Sequence, residues 1–514
     1  GPVQGPKDLR KAAGIETVDE SRLGTWLHEH LQAIVGATVY SCLKQFDRIP
    51  RFDLAVIDEA SQVRVPEAAI PIGLAGPQGR LVLAGDHLQL PPIVAGVYPE
   101  TEPGQPLLHR SIFEAIAQRS GRAGIVQQLT ENFRMNDVLT SFSGGLLYGP
   151  AYRSFDASVA ERRLNLLPER CLDPFVEACL DPAFPLVFVV LDGVWAAREN
   201  PPEAQLAAQL VAGLRSTLRQ ADGKLFGDDG AFFREGVFVV SPHRAQIRAI
   251  QRELRRQRRW QSPPLVDTVD KMQGREADAV IVSYGVSDPE FAAEEAEFIY
   301  GLNRLNVAVT RARTKCIVCL PRPLLDAPPQ VLDLPEAARG LAFMRELVQA
   351  VSRGGEELTF DLEDGVRAAV YRARGCYQEP APVPRESRPS VEPEPGPVAL
   401  PEPKALAVIE PYSITLQRVT VELPTPSTIT AAETTARYRR SGRGKKRLEP
   451  AAETRLAPAT APAAEPDSLL ARLNDPQREA ARHGLEPLLI IAGAGTGKTT
   501  TLVAISKALV GTGR

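Results

Sequence analysis

The sequence predicts an α/β fold, in which mostly parallel sheets are covered by helices. From Leu23 to Pro321, short apolar runs bounded by turn residues alternate with amphipathic stretches. Runs such as FDLAVIDEA, PLVFVVLD and DAVIVSYG are typical of strands that are buried on both faces. Residues 203–219 and 245–256 carry apolar side chains at three- and four-residue spacing, which predicts the covering helices.

Composition excludes several classes of protein. The 514 residues include 60 Lys and Arg against 63 Asp and Glu, so the net charge is -3. This balance excludes a uniformly basic, histone-like binder, and any nucleic-acid surface must be local. Six cysteines are too few for a disulfide scaffold, and no apolar run is long enough to span a membrane. We therefore expect a cytoplasmic protein without a membrane partner.

The P-loop pattern near the end of the chain is the clearest chemical signal. Residues 488–504 read LLIIAGAGTGKTTTLVA, an apolar strand, a glycine-rich turn and the start of a helix. In such a loop, backbone N–H groups surround the phosphates of a nucleotide at a helix N-terminus. The lysine would contact the phosphates and the following hydroxyl would bind Mg²⁺. The predicted ATP and Mg²⁺ site comprises Gly493, Gly495, Gly497, Lys498, Thr499 and Thr500.

A short helix is predicted just before the P-loop, in LNDPQREAARHG. Asp475 is the expected N-cap, Pro476 the first helical residue and Gly484 the residue past the end. LNDPQREA and AGAGTGKTT together resemble the glutamine motif and Walker A motif of UvrD/Rep-type superfamily 1 helicases. That resemblance implies that Gln477 reads the adenine edge of ATP.

Two carboxylates follow an apolar strand in FDLAVIDEAS, residues 52–61. ATP hydrolysis needs one carboxylate to hold Mg²⁺ and another to orient and deprotonate the attacking water. Asp58 and Glu59 suit these two roles, and the carboxyl end of a strand is where α/β folds bind their ligands. The next predicted strand ends in GDHLQLPP, where Gln89 is a candidate sensor of the γ-phosphate.

A series of motifs occurs in a fixed order along the body of the chain. They are DEAS (58–61), GDHLQLPP (85–92), LTENFRMN (129–136), VVSPHRAQ (239–246), VDTVDKMQGREADAVIVS (266–283) and LNRLNVAVTRARTK (302–315). In this order they closely resemble motifs II to VI of the Upf-like group of superfamily 1 helicases, and IVGATVYS (34–41) is similar to motif Ic. The resemblance implies a P-loop NTPase fold with two RecA-like domains, the first of them incomplete.

The resemblance also implies roles for individual residues. Arg134 and Arg311 would reach the γ-phosphate from the second RecA-like domain, and Glu276 would lie near the ribose. Thr38, His243, Gln246 and Thr268 would contact the phosphates and sugars of a single strand, which we expect to be DNA rather than RNA.

The body and the P-loop resemble two different helicase groups, which leaves the domain organisation open. We predict a partial first RecA-like domain at 1–120, a second at 121–330, a helical extension at 331–375, a proline-rich linker at 376–466 and the start of a UvrD-like domain at 467–514. No P-loop occurs in residues 1–57, and the chain begins with Gly1. The UvrD-like sequence around the P-loop and the absence of a motif Ia favour a segment of a longer polypeptide. The alternative is a circular permutant, whose C-terminal P-loop completes the N-terminal sheet.

The expected function is an ATP-dependent helicase or translocase that acts on single-stranded nucleic acid. A nucleic-acid clamp without ATPase activity is the alternative for a fragment that lacks its own P-loop. The basic run RYRRSGRGKKR (437–447) within the linker is equally consistent with a nucleic-acid tether and with a solvated charge run. The linker is also a candidate site for protein partners.

Overall fold

A computed structural model of the chain describes residues 18–30, 32–93, 107–117, 125–378, 470–483 and 486–511. The proline-rich linker from residue 379 onwards and the basic run at 437–447 lie outside these described residues. Within the described ranges, no helix combines the length and the apolar character needed to cross a bilayer.

The described strands include the apolar runs of the sequence. They are β1 (Phe52–Ile57), β2 (Ala75–Gly85), β3 (Val126–Leu129), β4 (Glu131–Asn132), β5 (Arg153–Ser154), β6 (Leu186–Asp192), β7 (Val237–Val240), β8 (Val266–Asp267), β9 (Ala277–Ser283), β10 (Ala312–Pro321), β11 (Glu356–Asp361), β12 (Arg367–Ala373) and β13 (Leu488–Ala492).

Helices connect and cover these strands. They are α1 (Leu23–Glu29), α2 (Val39–Gln45), α3 (Val65–Leu74), α4 (Ile112–Ala117), α5 (Asp137–Ser143), α6 (Ala157–Ala160), α7 (Pro174–Leu180), α8 (Pro201–Thr217), α9 (Asp229–Ala231), α10 (Arg244–Gln257), α11 (Pro289–Glu294), α12 (Ala296–Ile299), α13 (Leu302–Val309), α14 (Arg322–Leu325), α15 (Pro329–Leu332), α16 (Pro335–Gly354), α17 (Asp475–Arg482) and α18 (Lys498–Gly511). The predicted α/β class, with parallel sheets flanked by helices, is confirmed.

The first sheet joins the two ends of the chain. Its strand order is β1-β2-β13-β3, and every neighbouring pair is parallel. Leu489 of β13 is the register partner of Leu83 in β2 on one side and of Val126 in β3 on the other. Ile490 is fully buried, in a core that includes Val82. The P-loop strand is therefore an internal strand of this sheet.

This arrangement differs from the predicted division into separate domains at 1–120 and 467–514. β13 supplies the backbone hydrogen bonds that β2 and β3 would otherwise lack, because no other described strand lies between them. β3, at Val126–Leu129, also belongs to the first sheet, so the change of sheet follows Leu129 rather than residue 120.

The second sheet has the order β11-β12-β6-β10-β9-β7-β8. β6, β10, β9, β7 and β8 run parallel, so their carboxyl ends meet at one edge of the sheet. Helices α8 and α10 pack on one face, and α13 and α16 pack on the other. Cys316 and Cys319 of β10 are free thiols that are buried on opposite faces of this sheet.

The expected helical extension at 331–375 contains a hairpin as well as a helix. After α16, strands β11 and β12 pair antiparallel, and β12 pairs antiparallel with β6. Residues of β11 alternate between exposed and half-buried, as in EELTFD. Such an edge strand has few large apolar residues, so its sequence resembles a loop more than a strand.

Candidate functional site

The P-loop turn requires glycine at two positions. Gly495 and Gly497 have φ values of 78° and 77°, in the left-handed region that favours glycine. A Cβ at Gly495 would lie 2.6 Å from Oδ1 of Asn132, and a Cβ at Gly497 would collide with the amide of Gln477. The turn is further fixed by the Thr496 hydroxyl, which donates to the Gly493 carbonyl at 2.8 Å.

Lys498 lies at the start of α18 and connects the P-loop with the acidic end of β1. Its Nζ lies 2.6 Å from Oε1 of Glu59 and 3.2 Å from Oδ1 of Asp58. The lysine side chain is only 14% exposed, whereas both carboxylates remain more accessible at 43% and 44%. One ammonium group and two carboxylates from opposite ends of the sequence therefore form one charged cluster.

The backbone at Glu59 is unusual. Its φ of 53° is left-handed, a conformation that non-glycine residues adopt only when the surrounding structure imposes it. The Glu59 N–H donates to Oδ1 of Asp58 at 2.8 Å, which holds the two acidic residues in a tight turn. Strain of this kind is common at functional sites.

Hard oxygen donors are available for Mg²⁺ beside this cluster. Asp58 lies beside Lys498, and Thr499 and Thr500 follow on the exposed first turn of α18. The described residues contain no group of three or more His, Cys, Asp or Glu side chains suited to a metal. This donor set fits a nucleotide-bound Mg²⁺, which typically uses one or two protein ligands together with phosphates.

Helix α17 begins one residue earlier than predicted. Asn474, rather than Asp475, is the N-cap, and Asn474 and Gln477 form a reciprocal capping box. Both residue types favour the N-cap, so the sequence alone does not choose between them. The Gln477 amide nitrogen also donates to the Thr496 carbonyl at 2.9 Å, so this predicted adenine reader contacts the P-loop backbone here.

Gln89, in the segment after β2, and Arg311, between α13 and β10, contact each other. A guanidinium N–H of Arg311 donates to Oε1 of Gln89 at 3.0 Å, and Nε2 of Gln89 donates to Oδ2 of Asp86 at 2.7 Å. Burial, together with the neighbouring Arg134, lowers the pKa of Arg311 to about 10. Burial likewise raises the pKa of Asp86, which accepts from the Tyr148 hydroxyl at 2.7 Å.

Arg134 packs directly on the P-loop. Its Cβ would lie 2.8 Å from a Cβ added at Gly495, and the N–H of Phe133 donates to the Gly495 carbonyl at 2.9 Å. The guanidinium group donates to Glu276 at 2.6 Å and to the Thr310 carbonyl at 2.9 Å. Glu276 is thus paired with Arg134. Burial alone would raise the pKa of Glu276, but the positive charges of the nearby arginines outweigh that effect and hold the pKa below its usual value.

Several polar residues that connect the elements of this site were not among the predicted ones. Asn132 donates to the Tyr152 hydroxyl at 2.8 Å, and Tyr152 donates to the Ala494 carbonyl of the P-loop at 2.7 Å. Asn306 donates to the Leu88 carbonyl at 2.8 Å and thereby connects α13 to the segment after β2. Asn132 and Asn306 lie inside recognised motifs, whereas the tyrosine lies outside all of them.

The four predicted nucleic-acid residues have different environments. Thr38 is exposed and caps α2, and half-buried Thr268 follows β8. The ring of His243 lies 5.5 Å from that of Phe291, and burial lowers its pKa to about 4. Gln246 differs from the prediction, because it is fully buried. Its amide forms hydrogen bonds with Asn200 and Ser283 instead of facing a nucleic-acid strand.

Comparisons with known proteins match both parts of this site. Family models described as an AAA domain match residues 15–96 and 108–320, and a model described as the UvrD/REP helicase N-terminal domain matches residues 473–514. The chain is 29% identical over 275 residues to the DNA replication ATP-dependent helicase/nuclease JHS1 of Arabidopsis thaliana, covering 52% of this chain and 19% of that protein.

Two further relatives are similar over the same body. The uncharacterized ATP-dependent helicase MJ0104 of Methanocaldococcus jannaschii is 28% identical over 52% of this chain and 35% of its own length. The DNA-binding protein SMUBP-2 of Mus musculus is 28% identical over 66% of this chain and 30% of its own length. The matched part therefore spans well under half of each relative. These matches support a superfamily 1 helicase of the Upf-like group.

Proposed function

We propose that the chain is an ATP-dependent helicase or translocase whose single ATPase site combines the C-terminal P-loop with the acidic pair after β1. The observation that carries this proposal is the contact of Lys498 with both Glu59 and Asp58 at 2.6 and 3.2 Å. Neither half alone has the full set of groups that phosphoryl transfer to water needs. The circular-permutant arrangement therefore accounts for both motifs without a second P-loop.

The charged cluster suggests how nucleotide binding prepares the site. The phosphates of ATP would attract the Lys498 ammonium group, which releases the two carboxylates from their ion pairs. Asp58 and Thr499 would then hold Mg²⁺, which supplies charge neutralisation on the phosphates. Glu59, freed from the lysine, would orient the attacking water and accept its proton.

Arg134 and Arg311 would complete the site from the side of the second sheet. Arg134 already lies against Gly495, so it needs only to exchange Glu276 for the γ-phosphate. Arg311 contacts Gln89, so both can respond to the same phosphate. An arginine that reaches the transferring phosphoryl group stabilises the charge of the transition state. Because β9 begins at the next residue, release of Glu276 would couple nucleotide binding to the position of β9.

We infer that the strand is single-stranded DNA. Several relatives carry DNA in their printed descriptions, including the helicase/nucleases and the DNA-binding protein SMUBP-2. Thr268 and His243 lie after β8 and β7, at the carboxyl edge of the second sheet, and would contact the strand there. We also propose that the proline-rich linker binds protein partners.

The test is DNA-stimulated ATP hydrolysis by the full chain. Lys498→Ala and Glu59→Gln should each abolish it, because each removes one half of the same site. Lys507→Ala is the matched control, since this exposed lysine lies on the same helix α18 and away from the P-loop. Hydrolysis that survives either of the first two substitutions would reject the single site.

A mixing experiment separates the remaining alternatives. If each chain holds a complete site, a mixture of Lys498→Ala and Glu59→Gln chains stays inactive. Recovery of activity in the mixture would mean that the two halves come from different chains. DNA binding without ATP hydrolysis in the wild-type chain would instead support the nucleic-acid clamp.

A further inference from the structure

Helix α10 carries a line of arginines that the ATPase site does not use. Residues 244–257 read RAQIRAIQRELRRQ, and Arg244, Arg248, Arg252 and Arg255 recur at spacings of four, four and three. Such spacing places the four side chains on one face of a helix. All four are exposed, whereas Ile247, Ile250 and Leu254 are buried on the face that packs on the second sheet.

This arginine face is only partly neutralised. Arg252 forms an ion pair with Glu199. Arg244, Arg248 and Arg255 form no ion pair with any residue in the part of the chain that the structure describes. A chain with a net charge of -3 therefore concentrates unpaired positive charge on one helix.

The stability of the helix does not account for this arrangement. Like charges four residues apart repel each other on a helix surface. Cations near a helix N-terminus also oppose the helix dipole, and Arg244 is the first residue of α10. A helix selected only for stability would place acidic residues in its first turn, and α10 has none there. The arginine face is therefore better explained by an anionic partner.

The position of the helix identifies that partner. α10 begins immediately after His243, at the carboxyl edge of the second sheet, and its 14 residues extend roughly 21 Å from there. We propose that the face formed by Arg244, Arg248, Arg252 and Arg255 binds the phosphate backbone of the single strand where it continues past the second sheet. The inference rests on the proposed function, because the strand must first lie at that edge. Contacts of this kind bind without reading sequence.

The test compares Arg248→Gln/Arg255→Gln with Arg339→Gln/Arg353→Gln in the full chain. The control pair is also exposed, and it lies on α16, which packs on the opposite face of the second sheet. Binding of oligodeoxythymidylates of increasing length would be measured over a range of salt concentrations. Each phosphate contact contributes about 0.7 to the slope of log affinity against log salt for a single strand.

For long oligonucleotides the α10 variant should lose about 1.4 from that slope and roughly tenfold or more in affinity at 0.1 M salt, whereas the control pair should match wild type. For the shortest oligonucleotides that still bind, both variants should match wild type. Basal ATP hydrolysis without DNA should be unchanged in both. Equal losses in the two variants, or none at any length, would overturn the proposal. If wild-type chain binds no oligonucleotide, the proposed function itself fails.

Discussion

At the scale of single residues, a substitution of Arg311 best distinguishes an effect on ATP binding from an effect on ATP hydrolysis. It is buried and contacts Gln89, and neither of them belongs to the P-loop. If Arg311 acts on the γ-phosphate, Arg311→Ala should lower kcat by about 10³- to 10⁵-fold and leave the KM for ATP little changed. Steady-state ATPase kinetics with saturating DNA would measure both constants.

A second variant controls for the fold at this buried position. Arg311→Lys keeps the charge and much of the volume but loses the planar guanidinium group, so kcat should still fall while the melting temperature stays close to that of wild type. A kcat close to that of wild type in Arg311→Lys would show that Arg311 has no role on the phosphate.

The residue types of this site could be predicted from sequence, but their partners could not. Short motifs contain the P-loop, Asp58, Glu59, Gln89 and both arginines, and these motifs indicate a chemical role for each residue without a structure. The contact of Gln477 with the Thr496 carbonyl depends on how α17 meets the loop, which no local pattern encodes. Gln246 shows the opposite case, since a motif residue proved to be buried.

At the scale of elements, Glu203 connects three of them. It lies in the first turn of α8, and its carboxylate accepts from the Ser283 hydroxyl at 2.8 Å and the Gly285 N–H at 3.0 Å, at the end of β9. Gln246 of α10 donates to the same hydroxyl at 3.0 Å. Burial raises the pKa of Glu203 to about 8.

This raised pKa predicts a pH dependence of stability. The folded chain holds the Glu203 proton more tightly than the unfolded chain, in which the pKa of a glutamate is about 4.3. The stabilisation by the protonated carboxyl group is therefore fully present below pH 4.3 and is lost as the pH rises through about 8. Glu203→Gln should therefore gain stability relative to wild type between pH 5 and pH 8.5, by at most a few kcal/mol. Denaturant unfolding at the two pH values measures the difference; an unchanged difference would mean that Glu203 does not titrate in this range.

Elements were predictable where the hydrophobic pattern is strong. The apolar runs that became β6, β7, β9 and β10 are buried on both faces and stand out in the sequence. The hairpin of β11 and β12 was missed because one of its strands is an exposed edge whose burial alternates weakly. The one-residue error at the start of α17 has a similar origin, since Asn474 and Asp475 suit the same position.

At the scale of the whole molecule, the position of β13 was the open question. Its sequence identifies a P-loop strand but not the sheet that it joins, because parallel pairing between the ends of a chain leaves no local signature. The body and the P-loop resemble motifs of two different helicase groups, which favoured two separate domains. The structure instead places β13 between β2 and β3, where its backbone groups are paired on both sides. That pairing brings Lys498 to the acidic turn at the end of β1.

The most direct test of this joined site is zero-length carbodiimide cross-linking of the unmodified chain, followed by mass spectrometry of the monomer. Such a reagent joins an amine and a carboxylate that already form an ion pair, and Nζ of Lys498 lies 2.6 Å from Glu59. The monomer should yield a peptide containing residues 58–59 joined to one containing residue 498, and ATP with Mg²⁺ should suppress it. Failure to join Lys498 to either acidic residue within one chain would contradict the single composite site.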